Sequence, residues 1–424
     1  MSNMDQTEVL VTGAGPVGML TALLLTQNGV KTRIIDQESR TAGHSYSCAL
    51  HSRSIQLLHQ AGVAADAIEF GRRIDCVGFY EGSERRAEVR LSDLPVEFPF
   101  AVVLEQSALE NLLEQRLRQA EVRIHWDHRL AGFEMDDRGA TATIEKLGMT
   151  GKGYGVPGLE SGVKDHVQAR AQFIVGADGS NSLVRTRLGL GFERAGAPQH
   201  VAVYEVEAGG GCGHEARVVL DDTTASVLWP LSETRCRWSF QVNPAEEGGD
   251  FPLKERDRMV VVEQPSEEDG LHQLRRLLNE RAPWFQSRIQ EIVWTADVQF
   301  EPRLASHFGH NVCWLAGDAA HQTGPVGMQS MNIGFQEAAD LADVLTRILR
   351  KGGSRDLLKG YDRAHRGEWS QLLGFKTGAA STAGAAEWAR RRAARIVGSL
   401  PASGADLTCL LKQLGIDLVF GSES

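Results

Sequence analysis

Residues 8–36, EVLVTGAGPVGMLTALLLTQNGVKTRIID, constrain the fold more than any other stretch of the chain. The apolar run Glu8–Thr12 reads as a strand and ends on a turn carrying Gly13, Gly15 and Gly18. Met19–Gln27 has the Leu, Ala and Thr content of a buried helix, closed by Asn28-Gly29, and Thr32–Asp36 reads as a second strand. Strand, turn, helix and strand within about 30 residues make a nucleotide-binding βαβ unit, and its crossover implies a parallel sheet. In such a unit the first glycine allows the tight turn, the second lets backbone approach a pyrophosphate, and the third lets the helix pack on the strand. The phosphates face the helix N-terminus, where free N–H groups and the macrodipole favour anions. Asp36, at the end of the second strand, suits ribose hydroxyls and disfavours a 2′-phosphate. The turn alone does not separate one dinucleotide from another.

Further along, Ser52–Gln60 and Ser107–Gln119 read as helices, the latter with Ser107 as N-cap and Glu110 closing a capping box. Thr141–Leu147 and Val167–Val175 alternate as strands do, and the Gly- and Pro-dense stretch Gly148–Gly162 between them reads as a mobile hairpin loop. From His200 to Val298 short alternating and aromatic runs predict a mostly antiparallel sheet, with helical spacing within Arg256–Arg281. A strand at Val312–Ala316 and a helix over Met331–Leu349 return to the first texture. A nucleotide-binding domain interrupted by a β-rich insertion follows from that order. The Ala- and Arg-rich stretch Ala379–Arg395 reads as a helix that covers the core or meets a second subunit.

With 424 residues the chain is long for a single core. Its net charge of -10 argues against nucleic acid or an anionic membrane as partner. No apolar run reaches the roughly 18–20 residues that span a bilayer, and MSNMDQTEV lacks the basic and apolar regions of a secretory signal. The six cysteines (Cys48, Cys76, Cys212, Cys236, Cys313, Cys409) contain no C-x-x-C pair, so neither a metal site nor a disulfide framework is expected. The expectation is a cytoplasmic protein with reduced thiols, a monomer or homodimer.

Two more motifs follow strands. Gly176-Ala177-Asp178-Gly179-Ser180, with Arg185 behind it, comes after Phe173–Val175. Gly317-Asp318-Ala319-Ala320-His321 comes after Val312–Ala316 and leads through Gly324-Pro325-Val326-Gly327 to the helix containing Asn332. A carboxylate leaving a strand suits a ligand hydroxyl, and the next helix start offers N–H donors to developing negative charge.

In fixed order, GAGPVG, GADGSNSLVR and GDAAHQTGPVGMQSMN resemble the single-component FAD-dependent aromatic hydroxylases, the group A flavoprotein monooxygenases that include para-hydroxybenzoate and phenol hydroxylases. The resemblance covers most of residues 7–370. It implies an α/β fold with a Rossmann-like FAD-binding domain of glutathione-reductase type over 1–78, 102–198 and 301–375. A β-sheet substrate domain would take 79–101 and 199–300, and C-terminal helices 376–424. With Ser424 as the last residue, it implies a form without the thioredoxin-like domain of the larger phenol hydroxylases. Carried over residue by residue, Gly13, Gly15, Val17 and Gly18 match the ADP-binding turn, and Asp36 with Gln37 the adenosine ribose site. Arg53 and Gln106 match flavin contacts. Asp178 and Arg185 match the Asp-Gly motif that serves both FAD and NAD(P)H, and Asp318 the ribityl-side aspartate. Pro325 and the backbone from Gly327 through Met331 to Asn332 match the loop beside the isoalloxazine ring.

The activity so implied is hydroxylation of an aromatic or polycyclic small molecule by O₂, with NADH or NADPH reducing the flavin and a C4a-hydroperoxide delivering one oxygen. No catalytic side chain is assigned, because the cofactor carries the chemistry. Tyr46, Trp229, Trp238 and Phe240 are the candidate substrate-pocket residues, with Trp238 and Phe240 on one side of a strand; core packing is the alternative for all four. His44, His51 and His321 are unassigned. The chain departs from the usual P-x-G-G-Q-G-M-N pattern: Met328 and Ser330 stand where glycines are expected. If those positions need φ > 0, each costs energy. A same-fold oxidoreductase without oxygen insertion, or a flavoprotein that binds a ligand without turnover, remain open alternatives. The G-W-x-W-x-I-P segment of tryptophan halogenases is missing.

Overall fold

A computed structural model describes residues 5–41, 49–151, 159–209, 213–243, 267–374, 377–381 and 384–420. Tyr46, His44, Cys48, Cys212 and the first part of Arg256–Arg281 lie outside the described residues. The first unit runs as expected: β1 (Asp5–Thr12), α1 (Pro16–Gln27), β2 (Thr32–Ile35). Helix α1 is apolar nearly all round, with Met19, Leu20, Leu23 and Leu25 buried, so it lies within the core rather than on it. Next come α2 (Ser52–Ala61), the hairpin β3 (Cys76–Glu81) and β4 (Glu84–Arg90), and α3 (Gln106–Gln119). Helix α3 begins one residue before Ser107, with Glu105 at the N-cap and no side-chain cap. The expected capping box is therefore absent. Glu110 instead accepts the Gln106 Nε2–H at 2.6 Å.

Then follow β5 (Ile124–His125), β6 (His128–Asp136), β7 (Gly139–Gly151), β8 (Leu159–Gly176) and the short α4 (Leu183–Arg187). The arms of the β7–β8 hairpin extend into the stretch read as loop: Gly148 pairs with Gly162 and Gly151 with Leu159. Backbone pairing overrides the weak strand preference of glycine there. Strands β9 (Gln199–Gly209), β10 (Glu215–Leu220), β11 (Ala225–Pro230) and β12 (Arg235–Val242) lead to α5 (Glu267–Arg281) and β13 (Arg288–Phe300). The chain returns through β14 (Gly309–His310) and β15 (Cys313–Leu315) to the long helix α6 (Gln329–Lys351) and α7 (Leu357–Leu372).

One sheet has the order β14-β15-β8-β1-β2-β5, parallel from β15 to β5, with β7 and β6 added antiparallel through β8. The second has the order β13-β9-β12-β11-β10-β3-β4 and is antiparallel except where β10 meets β3. The hairpin β3–β4 thus joins a sheet formed mostly more than a hundred residues later in the chain. Side chains alternate across this second sheet. Tyr204, Leu228, Trp238 and Phe240 face α5 and its Leu274 and Leu277. Val218, Leu220, Val227 and Trp229 face the other way, in one cluster with Val326 and Met328.

That cluster is completed by α8 (Glu387–Ser399) and α9 (Gly404–Lys412) through Trp388, Ile396, Leu400 and Leu410. The helix expected over Ala379–Arg395 starts only at Glu387. Before it, Thr377–Ser381 is a strand paired antiparallel with Ile416–Phe420. The β-favouring partner IDLVF supplies the ladder, and tertiary pairing wins over the helix propensity of alanine.

Candidate functional site

The three glycine-bearing turns converge on the N-terminus of α1. Gly13 has φ +97°, and a Cβ there would stand 2.1 Å from the Ala177 carbonyl oxygen. A Cβ on Gly18 would stand 2.0 Å from the Gly13 carbonyl oxygen. Gly317, at φ +66°, and Gly334 close on Val17 from the other side. Gly15 differs from the others: among the described residues no atom lies within 4 Å of where its Cβ would be. It caps α1 without any side-chain bond to the helix N–H groups, and no acidic residue occupies the first turn. Open space beside unpartnered donors at a helix N-terminus is the cradle a diphosphate needs. Asp36 accepts the Ala14 N–H at 2.5 Å through Oδ2 and the Glu38 N–H at 2.8 Å through Oδ1. Both oxygens keep a lone pair for ribose hydroxyls, and Gln37 is exposed beside it.

Asp178 turns one oxygen inward, where Oδ2 accepts the N–H groups of Leu183 and Val184 at the start of α4. Oδ1 is buried without a donor among the described residues. Burial holds this carboxyl above its ordinary pKa, opposed by its hydrogen bonds to Ser182 and the helix start. Arg185 is buried and works as a brace: Nη1 donates to Ala319 O at 2.7 Å and Nη2 to Ser180 O at 2.6 Å. Its guanidinium also lies 3.8 Å over the Phe192 ring. The second and third motifs are thereby tied together.

Arg53 is exposed and donates to Gln56 Oε1 at 2.8 Å, and Gln106 is engaged by Glu110. Asp318 is exposed in a single 3₁₀ turn and accepts the Ser330 hydroxyl at 2.5 Å. The loop after Pro325 is held from within by Asn332. Its Oδ1 accepts the His51 N–H at 2.8 Å, while Nδ2 donates to Ala49 O at 2.8 Å and Met328 O at 2.6 Å. His51 Nε2 donates to Gly327 O at 3.0 Å, and burial depresses its pKa to about 3, so the ring is neutral. Met331 is buried in the first turn of α6.

Met328 does take up the left-handed region, with φ +52°, as N-cap of α6. Its side chain is 3 % exposed, packed in the cluster with α8, and that burial offsets the strain. Ser330 lies inside α6 with ordinary helical backbone, so no glycine is required there. The loop is also backed by α8: a Cβ on Gly327 would meet Gly398 O at 2.5 Å.

Of the aromatic candidates, Trp229 lies on the sheet face shared with Val326 and Met328, fully buried and with its indole N–H unpartnered among the described residues. Trp238 and Phe240 share a side, stacked at 5.0 Å, but on the face turned to α5. The structure does not bring them together with Trp229. Beside Trp229, on the same face of the sheet, Arg237 pairs with Glu205 at 2.8 Å, both buried, and Arg235 bridges Glu205 to Glu105, the residue before Gln106. This charged cluster joins the second sheet to α3. A cavity of about 380 Å³ opens between Gln199 and Gln241 of the sheet, Thr323–Val326 of the loop, and Arg395 and Ser399 of α8.

His321 and Glu337, both fully buried, stand in contact, with His321 Nε2 3.0 Å from the carboxylate. Glu337 went unnoticed in the sequence. The available signal was its place on the buried stripe Ile333, Leu341, Leu345, where a charge needs a partner. Cys76, Glu88 and Glu215 also approach one another, but Arg85 pairs with both acids.

Residues 6–373 match the family described as FAD binding domain. The chain belongs to that family. FAD is therefore its dinucleotide. Among curated relatives, 6-methylpretetramide 4-monooxygenase of Streptomyces rimosus is 28% identical over 362 residues, 84% of this chain and 58% of the relative. Pentachlorophenol 4-monooxygenase of Sphingobium chlorophenolicum is 26% identical over 390 residues, 86% of this chain and 63% of the relative. The chain thus spans about three fifths of the length of these relatives. The crystal structure of p-nitrophenol 4-monooxygenase from Pseudomonas putida DLL-E4 shares the fold, with TM-score 0.70, 20% identity, 97% of this chain and 95% of that chain covered.

Proposed function

We propose that the chain is an FAD-dependent monooxygenase that inserts one oxygen atom of O₂ into an aromatic or polycyclic small molecule, with NADH or NADPH as electron donor. The observation that carries this reading is the convergence of three strand-end motifs on one FAD cradle, beneath a sheet face that carries Trp229. The curated relatives named above are themselves monooxygenases. Gly13, Gly15, Gly18 and the α1 N-terminus would hold the diphosphate, Asp36 the adenosine ribose, and Asp178 and Asp318 further hydroxyls. When bound, FAD supplies the electron transfer from nicotinamide and the activation of O₂.

The chain's own part is placement. Asn332 and His51 fix the loop from Gly327 to Met331, and the start of α6 offers N–H groups to negative charge at its end. Val326, Met328, Trp229 and α8 exclude water behind it. Substrate enters between the loop and the second sheet, where Gln199, Gln241 and Arg395 offer polar contacts. The division into an FAD unit, a sheet unit and a C-terminal segment belongs to this reading, as does a cytoplasmic monomer or homodimer. No helix among the described residues is long and apolar enough to cross a membrane.

The test is purified FAD-loaded protein with NADH or NADPH, a panel of phenols and polycyclic phenols, and ¹⁸O₂. A hydroxylated product carrying one labelled oxygen is expected. Turnover with unlabelled product would replace the reading by an oxidoreductase, and no stimulation of nicotinamide oxidation by any compound would replace it by a ligand binder.

A further inference from the structure

A chain of polar side chains leads from Asp318 into the core. The Ser330 hydroxyl reaches Asp318 Oδ1 at 2.5 Å and lies 3.4 Å from His321 Nδ1. His321 Nε2 stands 3.0 Å from the Glu337 carboxylate. Glu337 also accepts the Gly317 N–H and the Trp369 indole N–H, each at 2.7 Å. Trp369 closes the arrangement by stacking on the imidazole with ring centroids 3.8 Å apart.

Counting protons orders this chain. Three donors converge on Glu337, so it is a carboxylate. Burial pushes its pKa up, but the His321 contact and the hydrogen bonds outweigh that and hold it low. A buried carboxylate needs hydrogen-bond partners, and the His321 imidazole is in contact with it. Ser330 has one proton, given at the shorter distance to Asp318. Its oxygen then faces His321 Nδ1, a contact that is attractive when Nδ1 carries a proton. The contacts run in series: His321 Nε2 to Glu337, His321 Nδ1 to the Ser330 oxygen, and Ser330 O–H to Asp318.

We propose that Ser330 is a positioning residue that sets the direction of the Asp318 carboxylate, buttressed by His321 and Glu337, and so raises the affinity for FAD. The proposal rests on Asp318 as an FAD ligand. Asp318 is exposed at the end of a short turn, so without a tether its carboxylate samples several rotamers, and fixing one lowers the cost of binding a hydroxyl. Glycine at position 330 has nothing with which to do this, and the stretch from Gly317 to His321 brings Asp318 and the buttress within one turn of each other.

The experiment measures the FAD dissociation constant of the apoprotein by fluorescence titration, for Ser330→Ala, Ser330→Gly, Ser330→Thr, Asp318→Ala and the double variant Asp318→Ala/Ser330→Ala. Ser330→Ala and Ser330→Gly are expected to weaken FAD binding about tenfold, the size of one hydrogen bond to a charged group. Ser330→Thr keeps the hydroxyl and is expected to restore most of the affinity. The double variant should bind no more weakly than Asp318→Ala, because Ser330 acts through Asp318. Wild-type affinity in Ser330→Ala with a loss in Asp318→Ala overturns the positioning role alone. Wild-type affinity in Asp318→Ala overturns both the role and the assignment of Asp318. An undiminished Ser330→Ala penalty in the Asp318→Ala background also overturns it. Circular dichroism melting of each apoprotein separates these results from misfolding, and the threonine variant keeps the test decisive if alanine or glycine disturbs α6.

Discussion

At Gly13 an added Cβ would collide with the Ala177 carbonyl, whereas at Gly15 it would meet nothing within 4 Å among the described residues. The two glycines of one motif therefore fail in different ways. Gly13→Ala is expected to destabilise the apoprotein by about 3 kcal/mol through the clash and the positive φ, read as a lowered urea midpoint. Gly15→Val should leave the apoprotein midpoint unchanged and abolish retention of FAD on gel filtration. A normal apoprotein for Gly13→Ala would sink the close-packing account of that turn. His51 yields a second residue-scale prediction. Its pKa is 6.5 in the unfolded chain and about 3 in the fold, so below pH 6.5 the unfolded chain binds a proton that the fold refuses. Its share of stability is full above pH 6.5 and is lost as pH falls towards 3, reaching about 2 kcal/mol at pH 5. Among the described residues the buried Nδ1 has no acceptor to welcome a second proton. His51→Gln retains a donor for Gly327 O, and its stability should fall less than that of the wild type between pH 7.5 and 5. Equal pH slopes would rule out this contribution.

Among elements, α6 carries the largest share of the site and showed the clearest division between what the sequence discloses and what it hides. Its length and apolar stripe are plain in the spacing of Ile333, Leu341 and Leu345. The βαβ unit is equally plain, because Gly13, Gly15 and Gly18 serve backbone geometry that no other residue satisfies. Partnership across the chain is what stays hidden. Nothing local to Trp238 says that it faces α5 rather than the loop, since either face of β12 is buried. Nothing local to Ala379 reveals the strand near Val419 that pairs with it. The charge of Glu337 makes sense only once His321 is beside it. At the start of α6, Met328 sets strain against burial. Returning it to glycine relieves about 1 kcal/mol of left-handed strain but removes a buried side chain worth about 2–5 kcal/mol. Met328→Gly is thus expected to be less stable by about 1–4 kcal/mol in urea unfolding; a more stable variant would show that strain dominates.

For the whole molecule, the decisive join is the apolar cluster in which the second sheet, the ring-side loop and the C-terminal helices share one core. Trp388 sits in it, buried and edge-on to Phe79 of β3 at 5.9 Å. Trp388→Ala should cost about 3–5 kcal/mol, and thermal release of FAD should shift down together with the unfolding transition. An FAD release temperature that stays put while the sheet melts earlier would mean that the two are not one cooperative unit. Gly327, pressed against the carbonyl of Gly398, has a consequence for biogenesis. Strands β1, β2, β8 and β15 with their turns leave the ribosome before α8 and can assemble the adenosine end of the site. The wall behind the opposite end emerges well after the loop that it supports. A nascent chain arrested between α7 and α8 should accordingly capture ADP while failing to hold riboflavin monophosphate, making the last step of maturation the closing of a door rather than the laying of a foundation.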